Sequence, residues 1–74
     1  MAKPKTFVLC IQNTGYEAAL EPRKLYGVLP DRVASAHNQL RVIDESGEDY
    51  LYPSAWFVPV KLAASVRKRV LAAV

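Results

Sequence analysis

The feature that most constrains the fold is the stretch of residues 40–60, LRVIDESGEDYLYPSAWFVPV, in which two β-prone segments flank a short acidic turn. Asp44 and Gly47 stand at the first and fourth positions of the tetrapeptide DESG, where type I turns favour these residue types. The segment predicts four consecutive elements: hairpin strands at 40–44 and 49–52, a proline turn at 53–56 and a final strand at 57–60. A chain built around these elements is a small, strongly bent β-structure rather than a helical domain.

The length of the chain limits it to one small domain. Its 74 residues are 51% hydrophobic, which is enough apolar surface for folding. A domain of this size buries only about 60% of its unfolded surface, so most of its large apolar side chains are needed in the core. Little room is left for a deep catalytic cleft. We expect a loose arm at 1–5 and a single domain at 6–74.

The segments before the hairpin predict further β-structure. In chain order they are a strand at 6–12 that is apolar on both faces, a long loop at 16–22, a strand at 24–29 and a polar connection with one helical turn at 32–39. In the second of these strands, Leu25 and Val28 are expected to point inward and Tyr26 to the other face. The whole chain is therefore predicted to be mainly β.

The C-terminal segment changes to a helical period. Leu62, Val66, Val70 and Val74 recur every four residues, which places them on one face of a helix at about 62–73. An isolated helix of about ten residues is marginally stable in water. We therefore expect the apolar face of this helix to pack on the β-structure.

Cysteine usage and the shortness of the apolar runs indicate a cytoplasmic protein. Cys10 is the single cysteine, so no internal disulfide can form, and this suits a reducing compartment. Its place in an apolar strand predicts a buried, unreactive thiol. The apolar run at 7–11 is shorter than a signal peptide or a membrane span requires, so no membrane association is expected.

The layout of the predicted strands resembles the Src-homology-three fold. Five short strands, a long loop after the first and a proline turn before the last carry the likeness, and residues 52–58, YPSAWFV, are similar to that family's proline-serine-asparagine-tyrosine-valine segment. The resemblance implies a small five-stranded barrel, here with a short C-terminal α-helix. It also implies that Pro53 and Trp56 occupy groove positions that bind polyproline ligands in the family. Through residues 26–31, YGVLPD, the chain also resembles short bacterial proteins of unassigned function.

The aromatic residues near the proline turn are the main candidates for a binding surface. Tyr50 and Tyr52 share one strand face by the period of two, and Trp56 follows just beyond the proline. Aromatic side chains with polar tips are favoured at protein interfaces. Alternatively, these three residues complete the small core and expose only their polar tips.

On the first interpretation the chain is a non-enzymatic interaction module for a protein or peptide partner. The binding residues are then Tyr16, Tyr50, Tyr52, Pro53 and Trp56, with Glu17 and Glu21 selecting basic groups of the partner.

The basic residues support an alternative function, in which a small barrel binds nucleic acid. The set comprises Lys3 and Lys5 in the arm and Lys61, Arg67, Lys68 and Arg69 around the helix. Phosphate backbones attract such side chains, although a net charge of +3 is mild for a dedicated nucleic-acid binder. A third interpretation is a subunit of a homo-oligomer whose interface is the apolar ending at 71–74.

Catalytic and metal chemistry are not indicated. The chain has one histidine, His37, and lacks a Ser-His-Asp order, a Gly-rich phosphate loop and a pair of cysteines. Four carboxylates crowd the hairpin tip at 44–49, but their spacing does not match a calcium-binding loop, and they are interpreted as a solvated turn. We expect no enzymatic activity, no cofactor and no bound metal.

Overall fold

A five-stranded antiparallel sheet forms the body of the protein. The computed structural model describes residues 6–72. The strands are β1 Thr6–Cys10, β2 Leu25–Leu29, β3 Gln39–Ile43, β4 Asp49–Pro53 and β5 Phe57–Val60. The helical elements are α1 Arg32–Ala36, a single 3-10 turn at Ser54–Trp56 and α2 Ala64–Ala72. The prediction of a mainly β, five-stranded fold with a short C-terminal helix is confirmed.

The strands lie in the order β4-β3-β2-β1-β5, with every neighbouring pair antiparallel. Within residues 6–72 this sheet is open, because no ladder joins β4 to β5. β1 ends at Cys10 rather than at residue 12, although the Ile11 N–H still donates to the Trp56 carbonyl at 2.8 Å. The expected arm at 1–5 lies outside the described residues.

The main core cluster lies on one face of the sheet. Directly paired residues of antiparallel strands point to the same face, and the pairs Val8↔Tyr26, Val28↔Val42, Leu40↔Tyr52 and Cys10↔Phe57 supply most of this core. Cys10 is fully buried, as predicted, and burial raises the pKa of its thiol.

The prediction for the side-chain directions in β2 is wrong at two of its three residues. Tyr26 is 5% exposed and belongs to the core, whereas Leu25 is 36% exposed on the opposite face; Val28 is buried as expected. Tyr26 tolerates burial because its hydroxyl has two hydrogen-bond partners, the backbone N–H of Glu21 at 2.7 Å and the carboxylate of Glu45 at 2.6 Å.

The long loop between β1 and β2 is held against the sheet by backbone bonds and by one core residue. Leu20 is fully buried, and its N–H donates to the Tyr16 carbonyl at 2.9 Å. The loop closes where the Arg23 N–H donates to the Cys10 carbonyl at 2.7 Å. A compact turn at 16–20 thus fixes the direction of Tyr16.

The short helix α1 begins with a side-chain cap. Asp31 caps α1 by accepting a hydrogen bond from the Ala34 N–H at 2.9 Å, which confirms the helical turn expected in this connection.

The C-terminal helix α2 begins at Ala64, later than the predicted start at 62. Val66, expected on the packed face of this helix, is instead 45% exposed. None of the helices within residues 6–72 is long and apolar enough to cross a membrane.

Candidate functional site

Three aromatic residues from three different elements meet at one end of the sheet. Tyr16 comes from the long loop, Tyr52 from β4 and Trp56 from the 3-10 turn. The ring centroids of Tyr16 and Tyr52 are 5.3 Å apart, those of Tyr16 and Trp56 are 5.7 Å apart, and those of Tyr52 and Trp56 are 6.4 Å apart. We call these three residues the aromatic cluster. Their edge-to-face and stacked geometries are those in which aromatic rings attract each other.

The members of the aromatic cluster differ in exposure. Tyr52 is 3% exposed and packs on Phe57, so it belongs to the core, whereas Tyr16 is 51% exposed. Trp56 is half-buried and packs against the core. The core interpretation therefore holds for Tyr52, and an exposed aromatic surface exists at Tyr16, which rests on the other two rings.

A shallow groove of about 410 Å³ opens next to the aromatic cluster. It is lined by Tyr16, Ala19, Asp44, Ser46, Tyr50, Leu51 and Tyr52. We call it the tyrosine groove. Its walls come from the long loop on one side and from the β3–β4 hairpin on the other.

The floor of the tyrosine groove contains a buried carboxylate. Asp44 is 7% exposed, and its oxygens accept hydrogen bonds from the Ser46 backbone N–H at 2.9 Å, from the Ser46 hydroxyl and from the Tyr52 hydroxyl at 2.6 Å. Burial by itself raises the pKa of this carboxyl, but the Ser46 and Tyr52 bonds together outweigh it and hold the pKa below its ordinary value of 3.8. Asp44 is therefore a charged group built into the fold, and its interpretation as part of a solvated turn is wrong.

The next residue, Glu45, ties the hairpin tip to the long loop. Its carboxylate lies 2.7 Å from the Lys24 ammonium and accepts a hydrogen bond from the Tyr26 hydroxyl. Its backbone N–H donates to the Ala19 carbonyl at 3.0 Å. The hydrogen bond from Lys24, followed by that from Tyr26, lowers the pKa of Glu45. Burial, followed by the bond to Glu45, raises the pKa of Tyr26. We call Lys24, Tyr26 and Glu45 the loop clamp.

The other two carboxylates at the hairpin tip have different partners. Asp49 lies 2.9 Å from the guanidinium of Arg41, which also pairs with Asp31 at 2.8 Å. Glu48 accepts a hydrogen bond from the hydroxyl of Tyr50 at 2.9 Å. Among the described residues, Glu45 and Asp49 thus face cations, whereas Asp44 and Glu48 accept only from neutral groups.

The structure brings together some of the seven residues predicted for a partner surface. Tyr16, Tyr50 and Tyr52 line the tyrosine groove, and Trp56 joins them through its contact with Tyr16. Pro53 is exposed at the end of β4, next to the groove residue Tyr52 but not lining the groove.

The two acidic residues predicted to select basic groups lie apart from the groove. Glu17 and Glu21 are exposed on the long loop and do not line it. Two groove residues, Asp44 and Ser46, lie outside the set predicted from the sequence. The signal that finds them is the spacing Asp-x-Ser at a hairpin turn, where the aspartate side chain bonds the backbone two residues on.

The basic residues of the alternative surface are described only in part. Lys61, Lys68 and Arg69 are exposed in and just before α2. Lys3, Lys5 and the side chain of Arg67 lie outside the part of the chain that the structure describes. Within that part, no three His, Cys, Asp or Glu side chains are arranged to hold a metal ion.

Comparison of the chain with protein-family models, with curated proteins and with solved structures found no match.

Proposed function

We propose that this chain is a non-enzymatic interaction module that binds a protein or peptide partner through its aromatic surface. The observation that carries the proposal is the half-exposed ring of Tyr16, which is held in place by Tyr52 and Trp56 beside the tyrosine groove. A preorganised aromatic ring loses little conformational entropy on binding and offers a large contact area. The surface comprises Tyr16, Tyr50, Tyr52, Pro53 and Trp56, with Glu17 and Glu21 on the adjoining loop.

We further propose that the fold is a small Src-homology-three-like barrel. The long loop after β1, the 3-10 turn before β5 and the five short antiparallel strands support this assignment. The loop clamp supports it as well, because it holds the long loop against the turn between β3 and β4. The lone buried Cys10 is consistent with a reducing, cytoplasmic compartment.

Nucleic-acid binding is the second candidate, favoured by the exposed side chains of Lys61, Lys68 and Arg69. The aromatic surface itself argues against a phosphate ligand, because Asp44 and Glu48 carry negative charge beside it. The salt dependence of binding distinguishes the two candidate functions. Phosphate binding weakens steeply between about 50 and 200 mM salt, whereas aromatic docking changes much less.

The test is capture of the tagged chain from the lysate of its own cells, with and without nuclease. We expect a nuclease-resistant protein that is lost with Tyr16→Ala and retained with Val58→Ala. Both residues are exposed, but Tyr16→Ala also removes ring contacts with Tyr52 and Trp56, so an amide NMR spectrum must first show that this variant is folded. Val58 lies on β5 outside the groove. Retention of the same partner by Tyr16→Ala would overturn the proposed surface. Recovery of nuclease-sensitive material alone would assign the function to the basic residues. Loss of that material on mutation of Lys61 and Lys68 would support the same assignment.

A further inference from the structure

We propose that the tyrosine groove receives a cationic side chain of the partner, with arginine preferred, and that Glu48 and Asp44 supply the negative charge that attracts it. This inference rests on the proposed function and names the chemistry that one part of the surface recognises. It assigns the selection of basic groups to the hairpin tip rather than to Glu17 and Glu21.

The walls of the tyrosine groove are rich in aromatic rings. Three tyrosines line the groove, and two of them, Tyr16 and Tyr50, are half exposed. The faces of aromatic rings are electron-rich and attract cations, and this attraction is stronger where the cation is partly removed from water. An apolar ligand could also pack on the rings, but the nearby carboxylates would not increase its affinity.

The balance of charge among the described residues also favours a cation. Glu45 is neutralised by Lys24, and Asp49 by Arg41, so these carboxylates need no further cation. Asp44 accepts from Ser46 and Tyr52, and Glu48 from Tyr50, so both accept only from neutral donors. The charge of Asp44 in the groove lining and that of Glu48, which is bonded to the groove residue Tyr50, therefore have no cation beside them in the described part of the chain, and a cation brought there by a partner balances them.

The two carboxylates act in different ways. A carboxylate has about four acceptor positions, and the hydrogen bonds from Ser46 and Tyr52 occupy three of those on Asp44. Asp44 is buried and rigid, so it acts as a fixed charge under the groove. Glu48 is exposed and is joined to the groove by the hydroxyl of Tyr50, so it is the direct contact for the incoming group.

The geometry favours a guanidinium over an ammonium group. A planar guanidinium stacks on a tyrosine ring and donates to a carboxylate at the same time, whereas an ammonium is a compact, strongly hydrated charge. The groove is shallow and about 410 Å³ in volume, so a long side chain can lie along it with its flat end against Tyr16 or Tyr50.

The test is an NMR titration of the intact chain with a short peptide, acetyl-Gly-Arg-Gly-amide, and with the same peptide containing lysine or the uncharged isostere citrulline. We expect saturable shifts at the Ser46 amide and at the Tyr16 and Tyr50 ring protons, with a dissociation constant on the order of millimolar for one side chain. The lysine peptide is expected to bind more weakly, and the citrulline peptide at least about fivefold more weakly.

Variants locate the charge. Glu48→Gln is expected to weaken arginine-peptide binding by about threefold, the scale of one exposed ion pair, and Tyr50→Ala by at least as much. Glu17→Gln tests the competing assignment to the loop, because it removes the exposed carboxylate next to the groove residue Tyr16. If the hairpin tip attracts the cation, this substitution weakens binding less than Glu48→Gln does. Val58→Ala, on β5 outside the groove, is the control that should bind as wild type does.

Equal binding of the citrulline peptide, absence of saturable shifts, or a loss of binding in Glu17→Gln but not in Glu48→Gln would each overturn the inference. The proposed function fails separately. A partner captured from lysate through Tyr16 but unaffected by Glu48→Gln would leave the interaction module standing and remove its arginine preference.

Discussion

At the scale of single residues, Asp44 and Tyr52 form the most consequential pair in the molecule. Both are buried, and the tyrosine hydroxyl donates to the carboxylate at 2.6 Å. A charged group in a protein interior is tolerated only when hydrogen bonds replace its hydration, and here Ser46 supplies the rest. The pair joins the end of β3 to β4 and forms the floor of the tyrosine groove.

Removal of one hydroxyl tests this pair. We expect Tyr52→Phe to lower the free energy of unfolding by about 1–2 kcal/mol, because a buried charged acceptor loses a hydrogen-bond donor without gaining water. Tyr50→Phe removes the same hydroxyl-to-carboxylate contact two residues away on the same strand, but in an exposed position, so little change is expected. Urea unfolding followed by tryptophan fluorescence measures both. If both substitutions lowered the free energy of unfolding equally, burial of Asp44 would not strengthen its hydrogen bond with Tyr52.

The sequence predicts residue positions well where the determining partner is close along the chain. Asp-x-Ser in the turn is such a local signal, because the aspartate side chain bonds the backbone N–H only two residues on. The direction of Tyr26 was not predictable in this way, because Glu45 lies nineteen residues away from it. Alternation alone places Tyr26 and Leu25 on opposite faces but does not say which one is buried.

At the scale of elements, the loop clamp decides how the long loop lies on the hairpin. The loop has no regular strand or helix between β1 and β2, yet it presents Tyr16 and Ala19 to the groove. Its position depends on the bonds that Tyr26 and Glu45 make to each other and to the backbone of Glu21 and Ala19. A groove with one wall on a loop is only as well formed as the contacts that hold this loop.

Substitution of the clamp tyrosine is expected to loosen one wall of the groove. In Tyr26→Phe the Glu21 N–H loses its acceptor, so we expect its amide hydrogen exchange to accelerate about tenfold or more, together with that of the neighbouring loop amides. Lys24→Met is the control, because it removes the exposed ion pair with Glu45 and leaves the buried hydroxyl in place. If the loop amides exchanged faster in Lys24→Met than in Tyr26→Phe, the ion pair between Lys24 and Glu45, rather than the Tyr26 hydroxyl, would be what holds the loop in place.

The strands were predictable because their turns carry local signals, and the helix was less so. The residues of the DESG turn and the proline at 53 place β3, β4 and β5 within about one residue of their observed bounds. The four-residue spacing of valines predicts α2 as a helix, but the exposure of Val66 shows that helical period alone does not decide which face is covered. That depends on the surface that the sheet offers, which no short stretch of sequence describes.

At the scale of the whole molecule, stability and charge are linked through the carboxylates. Hydrogen bonds lower the pKa of Asp31, chiefly from the Ala34 N–H, and that of Glu45, chiefly from Lys24; Asp44 is also lowered, despite its burial. A carboxyl whose pKa is lower in the folded state stabilises the fold above its unfolded pKa and loses that contribution as the pH falls through its folded pKa. The native chain is therefore expected to lose stability below about pH 4.

The pH dependence of one variant isolates the buried group. At pH 7 we expect Asp44→Asn to unfold at a lower urea concentration than wild type, because the amide replaces a charged acceptor. Below about pH 4 the difference should shrink, because the wild-type carboxyl takes up a proton first in the unfolded chain and then, as the pH falls through its lower native pKa, in the folded chain as well. Urea midpoints at several pH values, with Glu17→Gln as a control on the loop, measure this. A difference that stays constant down to pH 2 would mean that Asp44 is not charged in the native state.

The strand order has a consequence for synthesis of the chain. Of the five described strands β1 is made first, but one of its two edges is paired by β5, which places Phe57 opposite Cys10 although they lie 47 residues apart along the chain. While the ribosome adds the residues between them, a process of several seconds at about 5–20 residues per second, that edge has no partner. Phe7 and Val8, on opposite faces of β1, are both destined for burial. A nascent chain that stops before residue 57 therefore exposes an unpaired apolar strand edge to other nascent chains nearby, and synthesis of β5 ends this exposure.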